Sequence, residues 1–120
     1  MQVDQIARPV AGSKRTRRST GDRVRLAVLS LANGLGQVQH HSEKAWASIT
    51  FAGTRHTLRL TFEGEEAVAA GEELVAALPE HEFTIPRQLV ADATVTGVES
   101  TLLPEPRMLV ECELLLLEDA

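Results

Sequence analysis

The chain has 120 residues, of which 43% are hydrophobic and 24% are charged, and its formal net charge is −5 at pH 7. This is the size and composition of one globular domain, and no apolar run approaches the roughly 20 residues of a membrane-spanning helix. The single Cys112 excludes an intramolecular disulfide, and the N-terminal residues lack the apolar stretch of a secretion signal, so we expect a cytoplasmic protein.

A basic arm precedes an acidic body. Residues 1–25 carry seven lysines and arginines against two acids, whereas the rest of the chain carries five against fifteen. The segment 1–18 holds few large apolar residues, so burial cannot offset the entropy lost on ordering it. The sequence therefore predicts a disordered basic arm at 1–18 and a single domain at 19–120. The basic residues nearest the domain are Lys14, Arg15, Arg17 and Arg18.

The domain begins with a segment, 19–36, that has the pattern of an amphipathic helix. Ser19 and Asp22 have the spacing of a capping box, and Asn33 with Gly34 forms a typical helix stop. The residues spaced to share one apolar helical face are Val24, Val28, Leu31 and Leu35.

A hairpin is predicted next. The polar segment 37–44 is interpreted either as a short strand or as a loop. Residues 45–51 and 55–62 alternate between apolar and polar with a period of two, and Gly53 favours a turn at Ala52–Thr54. The apolar face of this hairpin is predicted to consist of Ala47, Ile49, Phe51, Leu58, Leu60 and Phe62.

The segment 63–80 predicts a second helix. Acidic residues occupy its first turn, where the helix dipole favours them, and Pro79 closes it. Gly71 weakens a helix interior by about 1 kcal/mol, so we expect it where the helix backbone approaches the sheet closely. The apolar face is predicted to contain Val68, Gly71, Leu74, Val75 and Leu78.

The segments 89–103 and 107–119 predict a second hairpin. The more apolar set is odd-numbered in the first segment and even-numbered in the second. Both sets share one face only if facing residue numbers add up to an odd value, which a four-residue loop at Pro104–Arg107 provides. The predicted fold is therefore α+β, in the order helix, hairpin, helix, hairpin. A four-stranded antiparallel sheet would carry both helices on one face, with a strand order that the sequence leaves open.

Four consecutive leucines, 114–117, place apolar side chains on both faces of the last strand, so its second face needs a cover. In the predicted register Thr94 lies opposite Leu117 and Thr96 opposite Leu115, which gives that face an uncharged centre. We predict a non-enzymatic protein-interaction module that forms a homodimer through this face. The alternative cover is the first helix, or the polar segment after it. The residues assigned to the interaction surface are Trp46, Thr94, Thr96, Leu109, Leu115 and Leu117.

Two alternative functions remain at this point. An accessory nucleic-acid-binding protein would neutralise phosphates with the four basic residues of the arm, although the body is acidic and aromatic residues for base stacking are scarce. A small-ligand-binding protein would hold a pocket between the helices and the sheet.

The sequence contains no recognisable motif for catalysis or metal binding. The patterns HExxH, paired CxxC and GxSxG are absent, and Cys112 falls in an apolar strand, which predicts a buried and inert thiol. His40 and His41 would point to opposite sides of a strand. His56 lies near Arg55 and Arg59 and could bind an anion with them, but charged residues at strand edges usually serve to prevent aggregation. We therefore expect no enzyme, no cofactor and no metal site, with histidines at the surface.

Three segments carry a resemblance to other proteins: AWASITFAGTRHTLRLTF, PEHEFTIPRQLVADATVTGVE and ECELLLLED. They are similar to segments of a group of short bacterial proteins that have no assigned activity, over about residues 20–120. The resemblance implies a small cytoplasmic bacterial protein and transfers no site residue.

Overall fold

The computed structural model describes residues 19–118, so the arm predicted at 1–18 lies outside the described residues. The strands form one antiparallel sheet in the order β1-β2-β4-β3, which makes β2 and β4 the central strands. This confirms an α+β fold with a four-stranded antiparallel sheet and two helices. The elements in chain order are α1 (Thr20–Ser30), β1 (Gln37–Ala47), β2 (Ala52–Glu63), α2 (Glu65–Ala77), β3 (Gln88–Thr101) and β4 (Arg107–Glu118).

Helix α1 starts and stops on local signals. The backbone N–H of Asp22 donates to the Ser19 hydroxyl at 3.1 Å, and the Ser19 N–H donates to the Asp22 carboxylate at 3.3 Å, which completes the capping box. These hydrogen bonds lower the pKa of Asp22. After the helix, Asn33 and Gly34 adopt left-handed conformations with φ of 56° and 77°. The predicted start and stop are both confirmed.

The first hairpin turns earlier than predicted. The ambiguous segment 37–44 belongs to β1, and the turn is Ser48–Phe51, closed by a Ser48 N–H to Phe51 carbonyl hydrogen bond of 2.8 Å. The predicted turn around Gly53 is wrong, because Gly53 lies within β2, where a Cβ atom would overlap with the backbone carbonyl of Leu116. Ile49 and Phe51 are consequently exposed at the turn and do not join the apolar face.

Helix α2 approaches the sheet at Gly71, as predicted. A Cβ atom at this position would lie 2.9 Å from Met108 Sδ and 3.0 Å from the Phe62 ring. The helix then tightens into a single 3-10 turn, Leu78–Glu80, that contains Pro79.

The second hairpin does not keep one register, because the pairing of β3 with β4 shifts at Ala91 and again at Thr96. Each bulge adds one unpaired residue and reverses the parity of the facing positions. Thr94 lies opposite Glu113 and not opposite Leu117 as predicted, because the loop lies earlier in the chain than predicted and displaces the register. Thr96 has no facing partner in β4, which corrects its predicted pairing with Leu115.

The bulges also change which residues of β3 face the core. Val90 lies opposite Leu116 and packs against the core, whereas Leu89, predicted to be in the core, is exposed. The loop has five residues, 102–106, between the strand ends and not the predicted four.

Both helices pack on the same face of the sheet, which we call the inner face. Val24 and Val28 of α1 and Leu74 of α2 are fully buried in one continuous core with the sheet. The sheet residues of this core are Leu58, Leu60, Phe62, Met108, Val110, Cys112, Leu114 and Leu116.

The opposite side, which we call the outer face, has no covering element within residues 19–118. Of the connecting segments, those containing Ala32 and Ile85 join the inner core. The two hairpin loops are exposed, with Ile49, Leu102 and Leu103 open to solvent. In the described part of the chain, no helix is long and apolar enough to cross a membrane.

Candidate functional site

The outer face has an apolar end next to the Ser48–Phe51 turn. Trp46 lies opposite Gly53, Gly53 opposite Leu117, and Leu117 opposite Leu89, so one row crosses all four strands. Because Gly53 carries no side chain, the row places only apolar side chains on this face. Leu115 lies in the next row along β4. We call Trp46, Leu89, Leu115 and Leu117 the apolar end.

Most of the predicted interaction residues share this face but do not form one patch. Leu115, Leu117 and Trp46 lie at the apolar end, whereas Leu109 lies at the opposite end of β4. Leu117 is only 8% exposed, so neighbouring side chains already shield it. Leu89 is 58% exposed and belongs to the patch, but the sequence placed it on the inner face.

The centre of the outer face is charged, which corrects the prediction of an uncharged surface. The Arg59 guanidinium donates two hydrogen bonds to one oxygen of Glu111, at 2.7 and 2.9 Å. Arg55 lies 3.6 Å from Glu113. These ion pairs join the central strands β2 and β4, and they could not be predicted because they depend on the strand order.

A polar cluster on the inner face joins α1 to the first hairpin. Arg25 Nη1 lies 2.7 Å from His41 Nδ1, and His41 Nε2 lies 2.9 Å from His56 Nδ1. Arg25 also pairs with Asp22 one turn earlier in α1. Glu43 follows His41 on the same side of β1 and lies directly opposite His56.

The direction of the protons in this cluster follows from Arg25. A guanidinium only donates, so His41 Nδ1 accepts, and a neutral His41 carries its proton on Nε2 and donates it to His56 Nδ1. Burial lowers the pKa of both histidines, and the positive charge of Arg25 lowers both further. Both imidazoles are therefore neutral at neutral pH.

The expectation of surface histidines is wrong for two of the four. His56 is 1% exposed and His41 is half-buried, whereas His40 and His81 are exposed. The signal in the sequence was the spacing of His41 and Glu43 by two residues, but it becomes meaningful only if segment 37–44 is a strand that pairs with His56.

The two remaining predicted sites are the basic arm and a ligand pocket between the helices and the sheet. The basic residues proposed for nucleic-acid binding, Lys14, Arg15, Arg17 and Arg18, lie outside the described residues. An open groove of about 460 Å³ lies beside α1, lined by Leu26, Leu29 and Val38 together with Arg25 and Asp22. Val38 belongs to β1, so the groove lies where α1 meets the edge strand of the sheet.

Comparisons of the chain with protein-family models, with curated proteins and with solved structures found no match.

Proposed function

We propose that this protein is a non-enzymatic interaction module that forms a homodimer by packing outer face against outer face. The observation that supports it is the apolar end, where the exposed Leu89 lies beside Leu117 and in the same row as Trp46, on a sheet face that no described element covers. Exposed apolar patches commonly mark partner sites. We also propose that the protein is cytoplasmic and bacterial, because it has a single cysteine and resembles the group of bacterial proteins described above.

The size of the outer face suits a second copy of the chain. Four strands spaced by about 4.8 Å, with about 12 residues each at about 3.3 Å, give a face of roughly 760 Å². A stable interface of ordinary size buries about 800 Å² on each partner. The face is therefore large enough for a specific dimer without a contribution from the helices.

The charges on the two central strands support one particular twofold arrangement. On the outer face β2 carries Arg59 where β4 carries Glu111, and β2 ends in Glu63 where β4 begins with Arg107. A twofold axis that runs parallel to the strands, between β2 and β4, lays each strand over the other strand of the partner. Opposite charges then meet across the interface.

The same axis keeps the position of each row along the strands. The apolar end of one chain consequently packs on the apolar end of the other, and Leu117 lies near the axis. A twofold axis perpendicular to the strands would instead lay β2 over β2 and bring arginine columns together. Charge and apolar complementarity thus favour the same dimer.

The proposal is tested with a matched pair of leucine substitutions. Leu89→Lys places a charge in the apolar end, whereas Leu26→Lys places one on α1 at a similarly exposed leucine, 46% against 58%. We expect Leu89→Lys to weaken dimerisation at least about tenfold and Leu26→Lys to leave it unchanged, since about 1.4 kcal/mol of lost contact corresponds to that factor. Light scattering over a dilution series measures both, and equal behaviour of the two variants would refute the proposed face.

A further inference from the structure

The inner polar cluster brings together three side chains of the kinds that bind metal ions. His41, Glu43 and His56 each offer one ligand atom, and these three atoms all lie within 4.8 Å of one another. They come from two paired strands, so the sheet fixes their relative positions. This arrangement lies on the opposite side of the sheet from the proposed dimer face.

The ligand set suits a late first-row divalent ion. Two imidazole nitrogens and one carboxylate oxygen match the donors that Zn²⁺ accepts, at bond lengths of about 2.0–2.2 Å. Ligand atoms around such an ion are separated by roughly 3.3 Å in a tetrahedral arrangement. Ligand atoms at the 4.8 Å limit therefore have to approach by about 1.5 Å, whereas His41 Nε2 and His56 Nδ1, at 2.9 Å, have to separate by about 0.4 Å.

The surroundings of the three ligands admit an ion. Metal binding needs neutral imidazoles, and each ring here accepts a hydrogen bond through Nδ1, His41 from Arg25 and His56 from His41, as only a neutral ring can. Helix α1 has a glycine where it passes Glu43, since a Cβ atom at Gly21 would lie 2.8 Å from Glu43 Oε2. Glu43 is exposed on an edge strand, which leaves an open path from solvent.

Arg25 contacts Nδ1 of His41, which is the nitrogen that would have to carry the ring proton once a metal ion is bound. An ion bound to His41 Nε2 moves the ring proton to Nδ1, which then needs a hydrogen-bond acceptor. Arg25 Nη1 is a donor and lies 2.7 Å from that nitrogen. Arg25 therefore has to move away from His41 before the ion can bind. Its guanidinium can then remain paired with Asp22.

We propose that His41, Glu43 and His56 form a three-ligand site for a divalent transition metal ion such as Zn²⁺, with solvent in the fourth position, and that Arg25 competes with the ion for His41. The site would tie β1 to β2 beneath the first turn of α1. Binding of the ion and binding of Arg25 to His41 exclude one another.

The test is calorimetric titration of the full chain with Zn²⁺ after treatment with a chelator. We expect micromolar or tighter binding of one ion per chain, and a loss of at least about tenfold in Glu43→Gln and His41→Gln. His40→Gln is the matched control, because His40 is the neighbouring histidine of the same strand and is exposed. Circular dichroism shows whether each variant is folded, and visible absorption of bound Co²⁺ reports nitrogen and oxygen ligation.

Three outcomes overturn the site: no binding by the wild-type chain below millimolar Zn²⁺, unchanged affinity in both ligand variants, or an equal loss in His40→Gln. The competition is tested separately with Arg25→Gln, whose amide oxygen can accept a hydrogen bond from the Nδ1–H group of metal-bound His41. Affinity for Zn²⁺ should rise about tenfold in this variant. An unchanged or weaker affinity contradicts the role assigned to Arg25.

Discussion

Gly53 and Gly97 both lie within strands, but the space around them differs. A Cβ atom at Gly53 would overlap with the carbonyl oxygen of Leu116, which is a backbone atom of the neighbouring central strand. At Gly97 the nearest atom is the Glu111 Oε1 of a flexible side chain, at 3.4 Å. Gly53 is therefore required by the close approach of β2 and β4, whereas Gly97 is replaceable.

Gly53→Ala should destabilise the fold, because the β2–β4 pairing has to shift to admit a methyl group. We expect a decrease of about 1–3 kcal/mol in the free energy of unfolding, as for other overpacked positions. Gly97→Ala is the control and should change it by no more than about 0.5 kcal/mol. Urea unfolding measures both variants, and a Gly53→Ala protein as stable as wild type would contradict the tight contact.

Cys112 is buried in the inner core, and burial raises the pKa of its thiol to about 12. The thiolate is the reactive form, so the native protein should hardly react with a thiol reagent at mildly alkaline pH. Unfolding in urea should give full labelling of one thiol per chain. Native labelling at the rate of a free thiol would show that the core around Cys112 opens readily.

At the scale of elements, success in predicting the fold depended on how local each signal is. The capping box of Ser19 and the stop at Gly34 act within one turn, and the sequence located both ends of α1. The register of β3 on β4 depends on two bulges, at Ala91 and Thr96, whose residues have no distinguishing chemistry. Each bulge reverses parity, so the alternation of apolar residues misassigned Leu89.

The candidate sites were harder to predict than the elements. The apolar end contains Trp46, Leu115 and Leu117, which the sequence had selected, but their alignment follows from the strand order β1-β2-β4-β3. The His41 and His56 contact needed both the extent of β1 and the true position of the turn. Neither follows from composition or periodicity.

The contact of α1 with the first hairpin should weaken in acid. Burial lowers the folded-state pKa of His41 and His56 from 6.5, so the unfolded chain takes up protons first as the pH falls. The free energy of unfolding should therefore decrease below about pH 6.5, and each histidine contributes at most about 1.4 kcal/mol per pH unit. Above that pH both states are neutral at these residues, and the contribution is constant.

Urea unfolding with a chelator present, at pH values from neutral to mildly acidic, measures this slope. His41→Gln should flatten the slope, since one of the two imidazoles with a lowered pKa is removed. His40→Gln should retain it, because that side chain is exposed. A slope that is equally steep in all three proteins would assign the acid sensitivity to other groups.

At the scale of the whole molecule, the sheet separates two surfaces with different chemistry. Its inner face holds the apolar core and the cluster of His41, Glu43 and His56, which the helices cover in part. Its outer face carries ion pairs at the centre and apolar side chains at one end, and no element within residues 19–118 covers it. The proposed twofold dimer would supply that cover and would leave the inner cluster free in each chain.

The outer face is proposed to be complementary to itself, and a mixture of two charge variants tests this complementarity. Arg59→Glu and Glu111→Arg each place like charges against one another in their own homodimer, so each variant alone should have the mass of one chain. In a mixed dimer the charges at these positions are opposite on both sides of the axis. Sedimentation equilibrium of the equimolar mixture should therefore give the mass of two chains, whereas a single-chain mass for the mixture and for the wild-type protein would contradict the account.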